Sequence, residues 1–259
     1  MLIKNIVMQF ERINVGTDFN MINLPQQYKI NKKIALKTIL SGEMKPAEKK
    51  RMKSNLIELF LTHQISGESI PSWIDEDHRY EVIMFFDVQV EKTKQVESTA
   101  SVLQRFIKPP CVIRFHDNHE EIFSFAHKKI NPANNHEMIL ENRVITPPQP
   151  VSSKNAQKDL LTKSLDFDSM KSRTNKKDLY VEAMTKAFIA AHPNIFSRVT
   201  EFLDSSIWYN SGDVLELLEN LTILQDLNRQ KAKALQVKDK VLVNGKIKKI
   251  ISGLTSKLQ

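Results

Sequence analysis

Cysteine is almost missing from this chain, with Cys111 the only one in 259 residues. That excludes an intrachain disulfide framework and any cysteine-built zinc cluster. Glycine is scarce as well, at six residues. Neither GxxxxGK[ST] nor GxGxxG occurs, so the usual phosphate cradles, and an ATPase with them, are not expected. There is no GxSxG, and Cys111 sits in the low-charge stretch "PPCVIRF" with no base identifiable from the sequence. It is expected to be a buried apolar residue rather than a nucleophile. Long apolar runs are missing too: the longest, such as Val82 to Phe86, fall far short of the roughly 20 residues that span a bilayer. The opening "MLIKNIVMQFERINV" carries charges inside its apolar stretch and no small-residue cleavage site. A secretory signal is therefore not expected, and the expected location is the cytoplasm, away from membranes.

What the chain does have is an average globular composition, 41% hydrophobic and 26% charged, with a net charge of +8. The charge is unevenly placed. Residues 1–150 hold 20 Lys and Arg against 18 Asp and Glu, and residues 151–259 hold 18 against 12. Two stretches concentrate the excess: 29–53, with nine basic and two acidic residues, and 227–259, with nine basic and one acidic. Such stretches neutralise phosphates and release counterions, or simply solvate a helix surface.

Hydrophobic spacing divides the chain. Residues 21–148 read as a sheet domain, 149–177 as a linker or surface connection, and 178–259 as a helical domain ending in a basic helix. In the sheet domain, "KKIALKTIL" has helical spacing up to a Ser41-Gly42 stop signal, and Pro46 suits a helix start. Strands are expected at "LIELFLTHQI", "YEVIMFFDVQV", "CVIRF", "EIFSFAH" and "EMILENRVI". Val96, Ala100, Leu103 and Ile107 form one apolar helical face that Pro109-Pro110 ends. The fold class expected is α+β: a mostly antiparallel sheet with a packed helix, followed by a helical C-terminal region. "PPQPVSSKNAQK" has linker composition. Beyond it, helices are expected at "KKDLYVEAMTKAFIAAH" and "IFSRVTEFLDSS", then a helical hairpin from Val214 onward. Its last helix places Ile247, Ile251, Leu254 and Leu258 on one face.

Among chemical candidates, seven histidines could ligate a metal, but they show no HExxH or comparable spacing. His116 and His119 flank Asp117 in a polar turn beside Glu120, which reads as solvated charge, while His63, His78, His127, His136 and His192 are scattered. No metal site and no cofactor is expected. A nuclease would need carboxylates and a lysine around a divalent ion. The nearest set is Asp87, Glu91 and Lys92 in "FFDVQVEK", with Asp87 and Glu91 on one side of a strand. The second acidic residue of a PD-(D/E)xK pattern is missing, and a sheet-edge charge pair is the plainer reading. Trp73 reads as a core anchor. Trp208 and Tyr209 either fill a partner's pocket or pin their own loop.

The order of "INLPQQYKINKKI", "THQISGESIPSWI", "VIMFFDVQVE", "FIKPPCVIRFHD", "FSFAHKKIN", "TNKKDLYVEA" and "IWYNS" resembles the bacterial family called domain of unknown function 4391, from about residue 21 to 259. The resemblance implies a bacterial protein encoded beside helicases and DNA methyltransferases in restriction-like or phage-defence loci. It carries no catalytic residue over, and it places the start of similarity near Met21, which implies that residues 1–20 are an upstream extension and Met21 a late translation start.

The expectation is therefore a non-catalytic accessory subunit of a DNA-targeting restriction-modification or phage-defence system, with a helicase or methyltransferase subunit as partner. DNA backbone would meet Lys32, Lys33, Lys49, Lys50, Arg51 and Lys53, and Lys246, Lys248 and Lys249. A metal-dependent nuclease using Asp87 and Glu91, and a protein-interaction or sensor module without DNA contact, stand as the alternatives.

Overall fold

The computed structural model describes residues 22–40, 44–134, 136–153 and 155–258. The upstream extension, the Met21 start and the Ser41-Gly42 stop signal lie outside the described residues.

In chain order the strands are β1 (Lys29–Lys33), β2 (Leu56–Ile65), β3 (Trp73–Ile74), β4 (Arg79–Tyr80), β5 (Ile83–Val90), β6 (Cys111–His116), β7 (Glu120–Ile130), β8 (Met138–Ile145) and β9 (Gln149–Pro150). The main sheet runs β1-β2-β5-β6-β7-β8, with β9 also paired to β7, while β3 and β4 form a separate hairpin. Every pairing is antiparallel except β5 with β6. That parallel pair needs a crossover, and α3 (Val96–Phe106) supplies it. The expected α+β class and its five strands are present.

β1 has no counterpart among the expected strands. Its five residues, "KINKK", are all exposed, so no apolar alternation announces it. Backbone pairing with β2 holds it in place, and lysines suit an edge strand because they deter further pairing.

Both faces of the sheet are covered, since successive side chains point to opposite sides. On one face Leu59, Phe86, Val88, Cys111, Ile113 and Phe115 pack with Met52, Val96, Ala100 and Leu103 from α2 (Pro46–Asn55) and α3. The apolar stripe read from Val96, Ala100 and Leu103 is the buried face of α3, as expected. Cys111 is fully buried there, and burial pushes its thiol up against the opposing effect of Lys128.

The other face packs Phe85, Val112, Phe123, Phe125 and Val144 against the C-terminal helices. These include α5 (Lys176–Ala191) and the hairpin of α6 (Ser211–Lys233) and α7 (Val237–Ser256). Sheet and helices therefore share one core. Residues 149–177, expected as a linker or surface connection, carry β9 and α4 (Ala156–Leu165) and send Leu161, Leu165, Phe167 and Met170 into that core. Asn155 begins α4 by accepting the Lys158 N–H at 2.7 Å.

"IFSRVTEFLDSS" is corrected too, because its ordered part is a 3₁₀ turn, Val199–Asp204, followed by another at Ile207–Tyr209. Val199 and Phe202, three apart, both bury, and Ser205 Oγ donates to the Phe202 carbonyl at 2.9 Å, closing the turn. The α6–α7 hairpin is as expected: Ile247 and Leu254 are buried, and Ile251 and Leu258 pack against the same core. Among the described residues no helix is long and apolar enough to cross a membrane.

Candidate functional site

The first basic stretch places most of its lysines on two elements, β1 and α2. Lys29, Lys32 and Lys33 line the exposed edge strand β1, and α2 follows with Lys50, Arg51 and Lys53 exposed and Lys49 half-buried. Lys49, Lys50 and Lys53 surround one shallow depression with Pro46 and Ser54. Among the described residues no carboxylate lines it. Lys33 is tied to Glu58 across the β1–β2 pair. The second stretch behaves differently: Lys246, Lys248 and Lys249 are exposed on α7, around the buried Ile247.

The nuclease set does not assemble. Asp87 lies inside β5, hydrogen-bonded to strands on both sides, so it is not at a sheet edge. Both its carboxylate oxygens are occupied: Arg114 Nη1 donates to Oδ1 at 2.9 Å, and His116 Nε2 lies 3.1 Å from Oδ2. Glu121 accepts from Arg114 Nε at 2.7 Å and pairs with Lys158 Nζ at 2.7 Å. Alternation in β5, β6 and β7 brings these side chains to one face, and α4 brings Lys158. The result is a buried cluster of two cations and two carboxylates, whose charges are already paired. Glu91 and Lys92 lie past the end of β5, both exposed, with their backbone N–H groups held by Asn55.

Trp208 is closed to a partner, because it is 1% exposed and its Nε1 donates to the Phe202 carbonyl at 2.8 Å. Tyr209 is exposed. Trp73 packs partly against the core, as expected, edge-on to Tyr80, with Lys177 Nζ 3.5 Å from its ring centre. Exposed apolar surface lies elsewhere: Leu235, Val237, Val241 and Leu242 stand out at the α6–α7 turn.

Two histidines that the sequence scatters do converge. His78 ends the loop of the β3–β4 hairpin, His127 lies on β7 and Glu141 on β8. His78 Nε2 is 3.0 Å from Glu141 Oε2, and His127 Nε2 is 3.2 Å from the same oxygen. The two imidazoles stack at 4.7 Å with 9° between their planes. His78 Nδ1 lies 3.1 Å from Asp75 Oδ1, and the Tyr80 hydroxyl bonds His127 Nδ1. Burial, assisted by His78, holds the His127 imidazole down at about 4, and burial drives the Tyr80 phenol far above its ordinary value. No sequence spacing announces this group, since His78 and Glu141 are 63 residues apart. The alternation of β7, which puts His127 on the face of Phe123 and Phe125, is the only legible part.

A family model described as Domain of unknown function (DUF4391) matches residues 22–254. No curated protein and no solved structure matches.

Proposed function

The chain belongs to that family of unassigned activity over nearly its whole length, and we propose that it serves as an accessory subunit of a bacterial DNA-targeting restriction-modification or phage-defence system. The lysine-lined depression on α2 is the observation that carries this reading, with the exposed lysine row of β1 as a further basic surface. Exposed lysines on an edge strand, and a depression on α2 that no carboxylate of the described residues lines, suit a phosphate backbone, which supplies affinity without sequence information. Lys246, Lys248 and Lys249 on α7 offer a second, separate contact. The apolar tip of the α6–α7 hairpin, flanked by Lys231, Lys233, Lys238 and Lys240, is the surface for a partner subunit, expected to be a helicase or DNA methyltransferase.

Lys49→Glu, Lys50→Glu and Lys53→Glu together change only surface side chains. Binding of a labelled duplex, followed by fluorescence anisotropy, should weaken by more than ~30-fold at low salt in this variant. The salt slope, log K against log salt, should become shallower by roughly 2–3, at about 0.9 for each phosphate that is no longer neutralised. Equal binding by variant and parent, or no binding by the parent at low salt, would remove DNA from the proposal. The partner is tested by affinity capture from the native host with nuclease treatment. A helicase or methyltransferase that remains bound after digestion is the expected result, and its absence counts against the subunit role.

A further inference from the structure

We propose that His78, His127 and Glu141 form a metal centre for a divalent transition ion, Zn²⁺ in the first instance, which ties the β3–β4 hairpin to the main sheet. Two imidazole nitrogens and a carboxylate are a borderline ligand set that suits zinc, with a position left for water. One ligand atom from each of the three residues lies within 4.8 Å of the others. A tetrahedral ion with bonds of ~2.0–2.1 Å needs its ligand atoms roughly 3.3 Å apart. The separations of 3.0 and 3.2 Å from the two Nε2 atoms to Glu141 Oε2 already approach that spacing.

The outer contacts point the same way. A metal-bound imidazole donates its other N–H to a fixed acceptor, which sets the tautomer and the ring orientation. Asp75 is that acceptor for His78, its two oxygens 3.1 and 3.2 Å from Nδ1. Tyr80 O occupies the equivalent place beside His127 Nδ1. With both Nδ1 atoms so engaged, both Nε2 lone pairs face the space beside Glu141.

The backbone is built to aim these groups. Between β7 and β8 the register passes from His127 opposite Asn142 to Lys128 opposite Leu140, so Glu141 is the extra residue of a β-bulge. Bulges re-aim a side chain, and this one turns Glu141 towards His127. The hairpin loop is equally fixed: Asp75 Oδ1 accepts the N–H groups of Asp77 and His78, and the Asp77 carbonyl accepts the Ile130 N–H at 2.7 Å. Lys129 pairs with Asp77 across the same junction. The charges also favour a cation. Asp75, Asp77 and Glu141 face Lys129 and Lys177, three negative charges against two positive, which leaves the group a net negative charge for a divalent ion to offset. Without an ion, the same atoms form a hydrogen-bond network in which two rings share one carboxylate oxygen, and measurement separates the two cases.

The test uses the full chain without a histidine tag, loaded with Zn²⁺, passed through gel filtration and assayed by elemental mass spectrometry. About one ion per chain is expected. Co²⁺ in its place should give visible d–d absorption of a four- or five-coordinate site. Glu141→Gln and His78→Ala, both at incompletely buried positions, should each weaken Zn²⁺ at least ~100-fold, and Asp75→Asn by ~10–100-fold. Zn²⁺ at a hundredfold excess over Kd should raise the parent's Tm by about 5–10 °C and leave His78→Ala unmoved. Retention below a tenth of an ion per chain overturns the site, as does Zn²⁺ binding or a Tm rise that is unchanged in His78→Ala and Glu141→Gln while both variants keep the parent's circular dichroism.

Discussion

Asp87→Ala should cost about 3–5 kcal/mol of folding stability, read as a lower urea midpoint with the slope unchanged. The carboxylate is 3% exposed and holds Arg114 and His116 on the inner face of the central strands. Its removal leaves Arg114 and Lys158 facing Glu121 alone, so one positive charge in a buried cluster loses its counterpart. Glu121 still reaches both cations, which places the expected loss in the lower half of the range. Asp87→Asn keeps the shape and one acceptor for Arg114 but not the charge, and should cost less than the alanine variant. A loss below ~1 kcal/mol would show that the cluster is screened by solvent. The same variant decides the enzyme reading. Metal-dependent DNA cutting that disappears in Asp87→Ala while stability is retained would restore a nuclease at this position, against the occupied oxygens described above.

How far the sequence can be read follows from where each element's stability lies. β2, β5, β6, β7 and β8 are legible because their own side chains alternate or run apolar between turn residues. The α3 face is legible for a similar reason: spacing within one segment fixes it, and Pro109-Pro110 ends it. β1 is not, because "KINKK" is a strand only by virtue of its backbone bonds to β2. Nor is α4, since Pro, Ser, Asn and Lys ahead of it carry the composition of a loop, while Leu161 and Leu165 are too few to signal a buried stripe. Asp87 is legible as a strand residue, but its partners come from β6, β7 and α4, and only the register of three strands reveals that its oxygens are taken. The histidine group is the extreme case. His78 depends on a hairpin loop and His127 on strand alternation, and Glu141 depends on a bulge that reverses the side-chain direction a regular strand would give it. No residue spacing encodes that combination.

Glu182→Ala should be as damaging as Asp87→Ala, because Glu182 joins the 166–175 segment to α5 from a fully buried position. Its Oε1 accepts the Lys171 N–H at 2.9 Å, its Oε2 accepts the Ser172 N–H at 2.6 Å, and Lys186 Nζ lies 2.6 Å from Oε1. Lys186 in turn donates to the Ser169 carbonyl and stands over the Trp208 ring at 5.2 Å. Alanine strands a buried ammonium and two backbone donors together. The expected loss is about 3–5 kcal/mol, which for a chain of this size lowers Tm by on the order of 10 °C. Removing the cation as well separates the contributions. Glu182→Leu with Lys186→Met deletes the ion pair but leaves the Lys171 and Ser172 N–H groups and the Ser169 carbonyl without these partners. It should recover roughly half of the loss, since an apolar pair of similar volume replaces a buried ion pair at little cost. Full recovery would mean that the backbone bonds contribute nothing. No recovery would mean that they, rather than the ion pair, are what fixes the segment carrying Phe167 and Met170 into the core.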